Sequence, residues 1–177
     1  MVVMQEIRIN PEESQQEDKK GLIESFLTEK WLELSFLYTS DFKSAKILRD
    51  YIQMICETLK IENKWKSRLI LITDELNNNA IEYGSLSWEN NTMRISIKKE
   101  NTYILLSIEV EDTGKWSSSK KAEDMEKLRT EKVNSWFKNH ASIRGRWLFM
   151  IITNLVDRLY FKDSEAGGLI VWIEKKL

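Results

Sequence analysis

Apolar residues recur along this chain with two periods. Leu32, Leu34, Phe36 and Tyr38 alternate with Glu33, Ser35 and Leu37, the period of a strand with one buried face. Ser40 or Asp41 can then cap a helix whose apolar positions Leu48, Tyr51, Ile52, Ile55 and Leu59 recur at three and four. A second helix is predicted over about 64–83, with Leu69, Ile72, Leu76, Ala80 and Tyr83 forming the core-facing stripe and Gly84 placed to end it. The alternating runs 93–97 and 103–110 read as a hairpin turning near Glu100 and Asn101. Residues 115–142 are rich in Ser, Lys and Glu and predict a mobile segment with a short helix near 125–137. A third strong helix over 144–155 precedes two runs, 157–161 and 169–173, that close as a hairpin around Gly167 and Gly168.

Strand, helix, helix, strand, strand, segment, helix, strand, strand is the order of an α+β fold: a two-layer sandwich, mostly antiparallel, with its helices on one face. Residues 10–20 hold the only proline and almost no apolar side chain, so 1–30 read as an N-terminal extension and 31–177 as the domain, its core beginning at Trp31. No internal repeat is visible.

Composition narrows the chemistry. With 177 residues and 42% hydrophobic content the chain suits one domain. Its 27 basic and 28 acidic residues are spread evenly, which advertises no direct nucleic-acid partner. No run approaches the roughly 20 apolar residues that span a bilayer, and the N-terminus lacks a secretion signal, so a soluble, cytoplasmic protein is expected, away from membranes. One cysteine, Cys56, and one histidine, His140, exclude an internal disulfide, a Cys-rich zinc site and a Ser-His-Asp triad. Cys56 borders an apolar stripe and reads as packing. Chemistry must rest on carboxylates, amides and backbone.

Three constellations carry such chemistry. On the second helix the apolar stripe spans about 80°, and Glu75, Asn79 and Glu82 line one border of it. Glu75 and Asn79 are four apart and share a side, whereas Asp74, Asn77 and Asn78 are expected to point to solvent. A carboxylate beside an amide suits phosphoryl transfer: the first deprotonates a hydroxyl, the second is a hard ligand for Mg²⁺. The plain alternative is solvated surface. At the end of the second hairpin strand, Asp112-Thr113-Gly114 places an acceptor for an exocyclic amine beside a residue that lets backbone approach closely, or else it is an ordinary turn. Arg144-Gly145-Arg146 opens the third helix, where free N–H groups and two guanidinium groups favour an anion; its alternative is a glycine-flanked helix start with surface arginines.

In this order the three pieces resemble the GHKL ATPase superfamily, especially the bacterial anti-sigma-factor serine kinases. The run 72–84 is similar to the asparagine box, Glu-x-x-x-Asn-Ala followed by an aromatic residue and Gly. Asp112-Thr113-Gly114 resembles the start of the first glycine box, and Arg144-Gly145-Arg146 with the apolar run after it resembles the second. The resemblance implies ATP and Mg²⁺ as cofactors, Glu75 as general base and Asn79 as the metal ligand. It also implies Asp112 and Gly114 at the adenine, Arg144, Gly145 and Arg146 at the phosphates, and 115–142 as the ATP lid. The chain departs from the pattern where Trp116 and Trp147 replace the second glycines, and where Leu169 and Ile170 stand in place of a threonine. Those indoles either fill the pocket or stack on a base. Trp31, Trp65, Trp88, Trp136 and Trp172 read as core or interface residues.

The function implied is an ATP-dependent serine/threonine kinase regulating transcription by partner switching. Its partners would be a sigma factor or an anti-sigma-factor antagonist, and it would be a homodimer. The alternative is a non-catalytic module of the same fold that grips such a partner. A third reading is a relative that hydrolyses ATP as a conformational switch, or the ATPase half of a histidine kinase; against the latter, no phosphoacceptor helix is evident and His140 sits inside the presumed lid.

Overall fold

The computed structural model describes residues 3–10, 21, 23, 24, 30–115, 120–135 and 155–177. The helix expected over 144–155 lies outside these residues except for Leu155, and Trp116, Trp136, His140, Arg144, Gly145, Arg146 and Trp147 lie outside them altogether. The elements are β1 (Val3–Ile9), β2 (Trp31–Thr39), α1 (Phe42–Thr58), α2 (Asn63–Asn79), β3 (Asn90–Lys99), β4 (Ile104–Glu111), α3 (Ala122–Ser135), β5 (Arg158–Asp163) and β6 (Leu169–Lys176). A π-helical turn, Ala80–Gly84, continues α2.

The strands form one sheet in the order β1-β2-β3-β4-β6-β5. Every neighbouring pair is antiparallel except β1 and β2, which run parallel with Val3 opposite Leu32 and Ile9 opposite Tyr38. This is the α+β arrangement that the hydrophobic pattern predicts. The core also draws on residues before Trp31, because Ile9 and Ile23 are buried with it.

Alternation builds the core side of the sheet. Leu32, Leu34, Phe36 and Tyr38 from β2, Met93, Ile95 and Ile97 from β3, and Leu106, Ile108 and Val110 from β4 are all buried. Opposite them α1 lays down Leu48, Tyr51, Ile52, Ile55 and Cys56, and α2 lays down Leu69, Ile72 and Leu76. Each such side chain stabilises the fold by about 1.5–3 kcal/mol through apolar surface removed from water. Phe36 and Tyr51 join the layers with ring centroids 5.0 Å apart. Asp41 caps α1 by accepting the Ser44 N–H at 2.8 Å. Burial pushes the Cys56 thiol up to about 12, as an inert packing residue requires.

One expectation changes. Tyr83, assigned to the stripe of α2, is 52% exposed. The π-helical turn is the reason: the Ser85 N–H bonds to the Ala80 carbonyl five residues back, which turns the helix out of the 3.6-residue phase that placed Tyr83 inside. None of the four described tryptophans is fully buried. Trp88 is 73% exposed, Trp31 is exposed with its indole N–H on Ser96 Oγ, Trp172 stacks on Tyr160 at 4.9 Å, and Trp65 lies under Arg68 and Lys175.

Within the segment 115–142, the described helix α3 packs against β5. Arg129 donates to the Leu159 carbonyl at 3.0 Å, the Ala122 N–H to Asp163 Oδ1 at 2.9 Å, and the Lys121 ammonium to the Gly167 carbonyl at 3.1 Å. Among the described residues no helix is long and apolar enough to cross a membrane.

Candidate functional site

The site gathers where α2 ends, β4 ends and the β5–β6 hairpin turns. Asp112 comes directly after the last residue of β4 and is nearly buried. Its Oδ1 accepts two backbone N–H groups, from Gly114 at 2.9 Å and from Leu169 at 3.1 Å. Its own N–H bonds to the Leu169 carbonyl at 3.1 Å, so β6 grips this residue by both main-chain groups of Leu169. Among the described residues no donor reaches Oδ2, which leaves one carboxylate oxygen with acceptor capacity.

Three glycines make this packing possible. A Cβ on Gly84 would overlap the Asp112 carboxylate, with Oδ2 only 2.5 Å away. A Cβ on Gly168 would overlap the Asp112 carbonyl and lie 2.6 Å from Oδ1. Gly114 has φ +66°, and a Cβ there would meet the backbone of Gly167 and Gly168. Burial pushes the Asp112 carboxyl above its ordinary range, with the Leu169 and Gly114 N–H groups acting the other way.

Gly84 ties this pocket to α2, because it ends the turn that continues from Asn79. Glu75 and Asn79 are both half-buried on α2, and neither side chain has a hydrogen-bond partner among the described residues. Burial raises the Glu75 carboxyl, and the negative charges of Asp74 and Glu82 add to the effect. A carboxylate raised this way is a stronger base. The chain therefore brings Asp112, Gly114 and the end of the Glu75–Asn79 helix together, while Arg144, Gly145 and Arg146 fall outside the described residues.

The expectation that Asn77 and Asp74 face solvent is corrected. Asn77 is 1% exposed: its Oδ1 accepts the Tyr38 hydroxyl at 2.7 Å and its amide donates to the Thr73 carbonyl at 2.9 Å. The side of α2 that lies on the sheet is wider than the apolar stripe, and a polar residue enters it because Tyr38 supplies a donor. Asp74 is half-buried and pairs with Arg49 of α1 at 2.7 Å.

Sequence reasoning missed a second layer of polar contacts. Ser85 Oγ donates to Asn91 Oδ1 at 2.6 Å and accepts the Thr113 N–H at 2.9 Å. The Thr113 hydroxyl and the Lys115 ammonium both bond to Glu89. Of these residues only Thr113 had a local signal, its place within Asp112-Thr113-Gly114. The contacts of Ser85 and Glu89 with Thr113 and Lys115 each span more than twenty residues of chain.

The donor set fits a nucleotide with few metal ligands. A glycine-lined carboxylate with a spare oxygen suits an amine-bearing base, and the unpartnered Asn79 amide suits a hard cation. Among the described residues no group of three or more His, Cys, Asp or Glu is arranged to hold a metal.

Residues 38–175 match the family described as the histidine kinase-like ATPase domain. Among solved structures, the fold is similar to a chain in the crystal structure of the SiaB-SiaC complex from Pseudomonas aeruginosa, with a TM-score of 0.52 and 12% identity, over 92% of this chain and 100% of that one. That likeness is one of fold. No curated protein matches the chain.

Proposed function

Because the chain belongs to the histidine kinase-like ATPase family, we propose that it binds ATP with Mg²⁺ and phosphorylates a serine or threonine of an anti-sigma-factor antagonist, regulating transcription by partner switching. The observation that carries the nucleotide reading is the Asp112 pocket, in which three glycines admit backbone and carboxylate to distances that no other residue allows. The partner reading draws on the fold shared with a chain from a two-protein complex. As in the resemblance drawn from its sequence, the protein acts in the cytoplasm and as a homodimer; light scattering tests the stoichiometry.

Each residue has a stated part. Asp112 accepts the exocyclic amine of adenine on Oδ2, while its Oδ1 stays on the Leu169 and Gly114 N–H groups. Gly114 lets the loop lie against the base. Asn79 Oδ1 holds Mg²⁺, and Arg144, Gly145 and Arg146 bind phosphate oxygens. Bound Mg-ATP would supply an electrophilic γ-phosphoryl group for transfer to the incoming hydroxyl, with ADP as the leaving group. Glu75 takes the proton of the incoming hydroxyl at its carboxylate, for which burial has raised its basicity.

Transfer of labelled phosphate from Mg-ATP to a candidate antagonist tests this assignment. Loss of transfer in Glu75→Gln is expected; unchanged transfer removes Glu75 from the role of base. Trp116 and Trp147, in place of glycines, favour a second reading, a non-catalytic module that grips its partner without nucleotide. Partner capture that is indifferent to Mg-ATP and to Asp112→Asn supports that reading.

A further inference from the structure

The segment between the π-helical turn and β3 holds Thr113 from two sides. Ser85 comes first: its N–H closes the turn on the Ala80 carbonyl at 3.0 Å, and its side chain accepts the Thr113 N–H at 2.9 Å. The Ser85 proton is committed to Asn91 Oδ1 at 2.6 Å, and Asn91 is fully buried on β3, so the hydroxyl is fixed in direction. Glu89 comes second. Its Oε2 accepts the Thr113 hydroxyl and, at 3.2 Å, the Leu86 N–H, while its Oε1 pairs with the Lys115 ammonium. The Thr113 hydroxyl lies 3.1 Å from Ser85 Oγ as well, but its single proton serves the carboxylate, the stronger acceptor. Glu89 is itself anchored at the sheet end, where its carbonyl accepts the Ser40 N–H at 2.9 Å.

Thr113 stands between Asp112 and Gly114, the two residues assigned to the base. Two main-chain contacts hold Asp112 on β6, but the chain from Thr113 to Lys115 is loop. A loop of this kind loses conformational entropy on ligand binding unless its backbone is fixed beforehand, and a preset loop binds more tightly by that amount. We propose that Ser85 and Glu89 form a clasp on Thr113 that presets the loop 112–115, which makes them positioning residues of the base pocket. The proposal rests on the nucleotide reading and adds to it the residues that keep the pocket open in the absence of ligand. The Glu89 carboxyl is held below its ordinary range by the Lys115 ammonium first and the Thr113 hydroxyl next, so it carries its charge at neutral pH.

The test pairs amide hydrogen exchange at residues 113–115 with calorimetric titration of Mg-ADP into the full chain. Ser85→Ala, Glu89→Gln and Thr113→Val are expected to lose exchange protection at 113–115 and to weaken Mg-ADP binding about tenfold. Thr113→Ser, which keeps the hydroxyl, is expected to restore both. In the Thr113→Val background, Glu89→Gln is expected to add less than it costs alone, since only its contact with Lys115 remains to be lost, an outcome that a general loss of stability would not give. Variants that bind Mg-ADP as wild type does, or a full additional loss in the double variant, overturn the clasp while leaving the nucleotide reading in place. Wild-type protein that binds no Mg-ADP overturns both, and the exchange data then report whether the contacts hold the loop for some other purpose.

Discussion

Asn77 and Asn79 stand two residues apart on α2, yet the fold treats them in opposite ways. Asn77 faces the sheet, is buried, and finds partners in Tyr38 and Thr73. Asn79 shares its border with Glu75, is half-buried, and its side chain has no hydrogen-bond partner among the described residues. The same division separates the two ends of the site. Around Asp112 the chain supplies its own donors and its own close packing, whereas around Glu75 and Asn79 it leaves polar atoms open. Close packing is concentrated on the first side, which keeps a single carboxylate oxygen spare, and open polar atoms on the second, and substitutions should separate the two.

The largest effect is expected at Gly168, where a methyl group collides with the Asp112 backbone rather than with a movable side chain. Gly168→Ala should cost about 3 kcal/mol in urea denaturation. A cost below about 0.5 kcal/mol would show that the pocket is not closed as described. Asn77→Ala comes next, at about 2–3 kcal/mol, because it strands the buried Tyr38 hydroxyl and opens a cavity. Asn79→Ala should leave stability within about 0.5 kcal/mol and act on Mg²⁺-dependent nucleotide affinity instead. Equal stability losses at the two asparagines would erase the distinction.

A smaller effect is expected in the pH dependence. Burial raises the folded-state pKa of Asp112 above its ordinary 3.8, so the native state holds that proton more tightly than the unfolded chain. This contribution is present below about 3.8 and is lost as pH rises through the folded value. Asp112→Asn removes it. In denaturation at a series of pH values, the variant should gain on wild type as pH rises through that window, and a parallel pair of curves would contradict the burial described. Glu75→Gln should behave similarly but more weakly, since Glu75 is only half-buried.

Much of this was legible in the sequence because it is local. Alternation in 32–38 and 103–110 and the three-and-four spacing along α1 and α2 report burial on one face, and, Tyr83 apart, these positions pack toward the core. The motif spacing of Glu75, Asn79 and Gly84 is local too. What escaped was set by residues distant in sequence. β1 escaped because its parallel partner lies beyond the polar stretch 10–20, and parallel pairing leaves no turn signal. Asn77 was misread because its burial depends on a hydroxyl from β2. Tyr83 was misread because one residue of π-helical turn shifts the helical phase. Asp112 was singled out by its motif, but the grip of Leu169, Gly84 and Gly168 on it exists only once the two hairpins and α2 meet.

Calorimetric titration of Mg-ATP into wild-type protein and Asp112→Asn tests the central claim most directly. Binding in the micromolar range by wild type that disappears in Asp112→Asn is the predicted result. No binding by wild type, or equal binding by both proteins, would contradict the assignment of this pocket to a nucleotide.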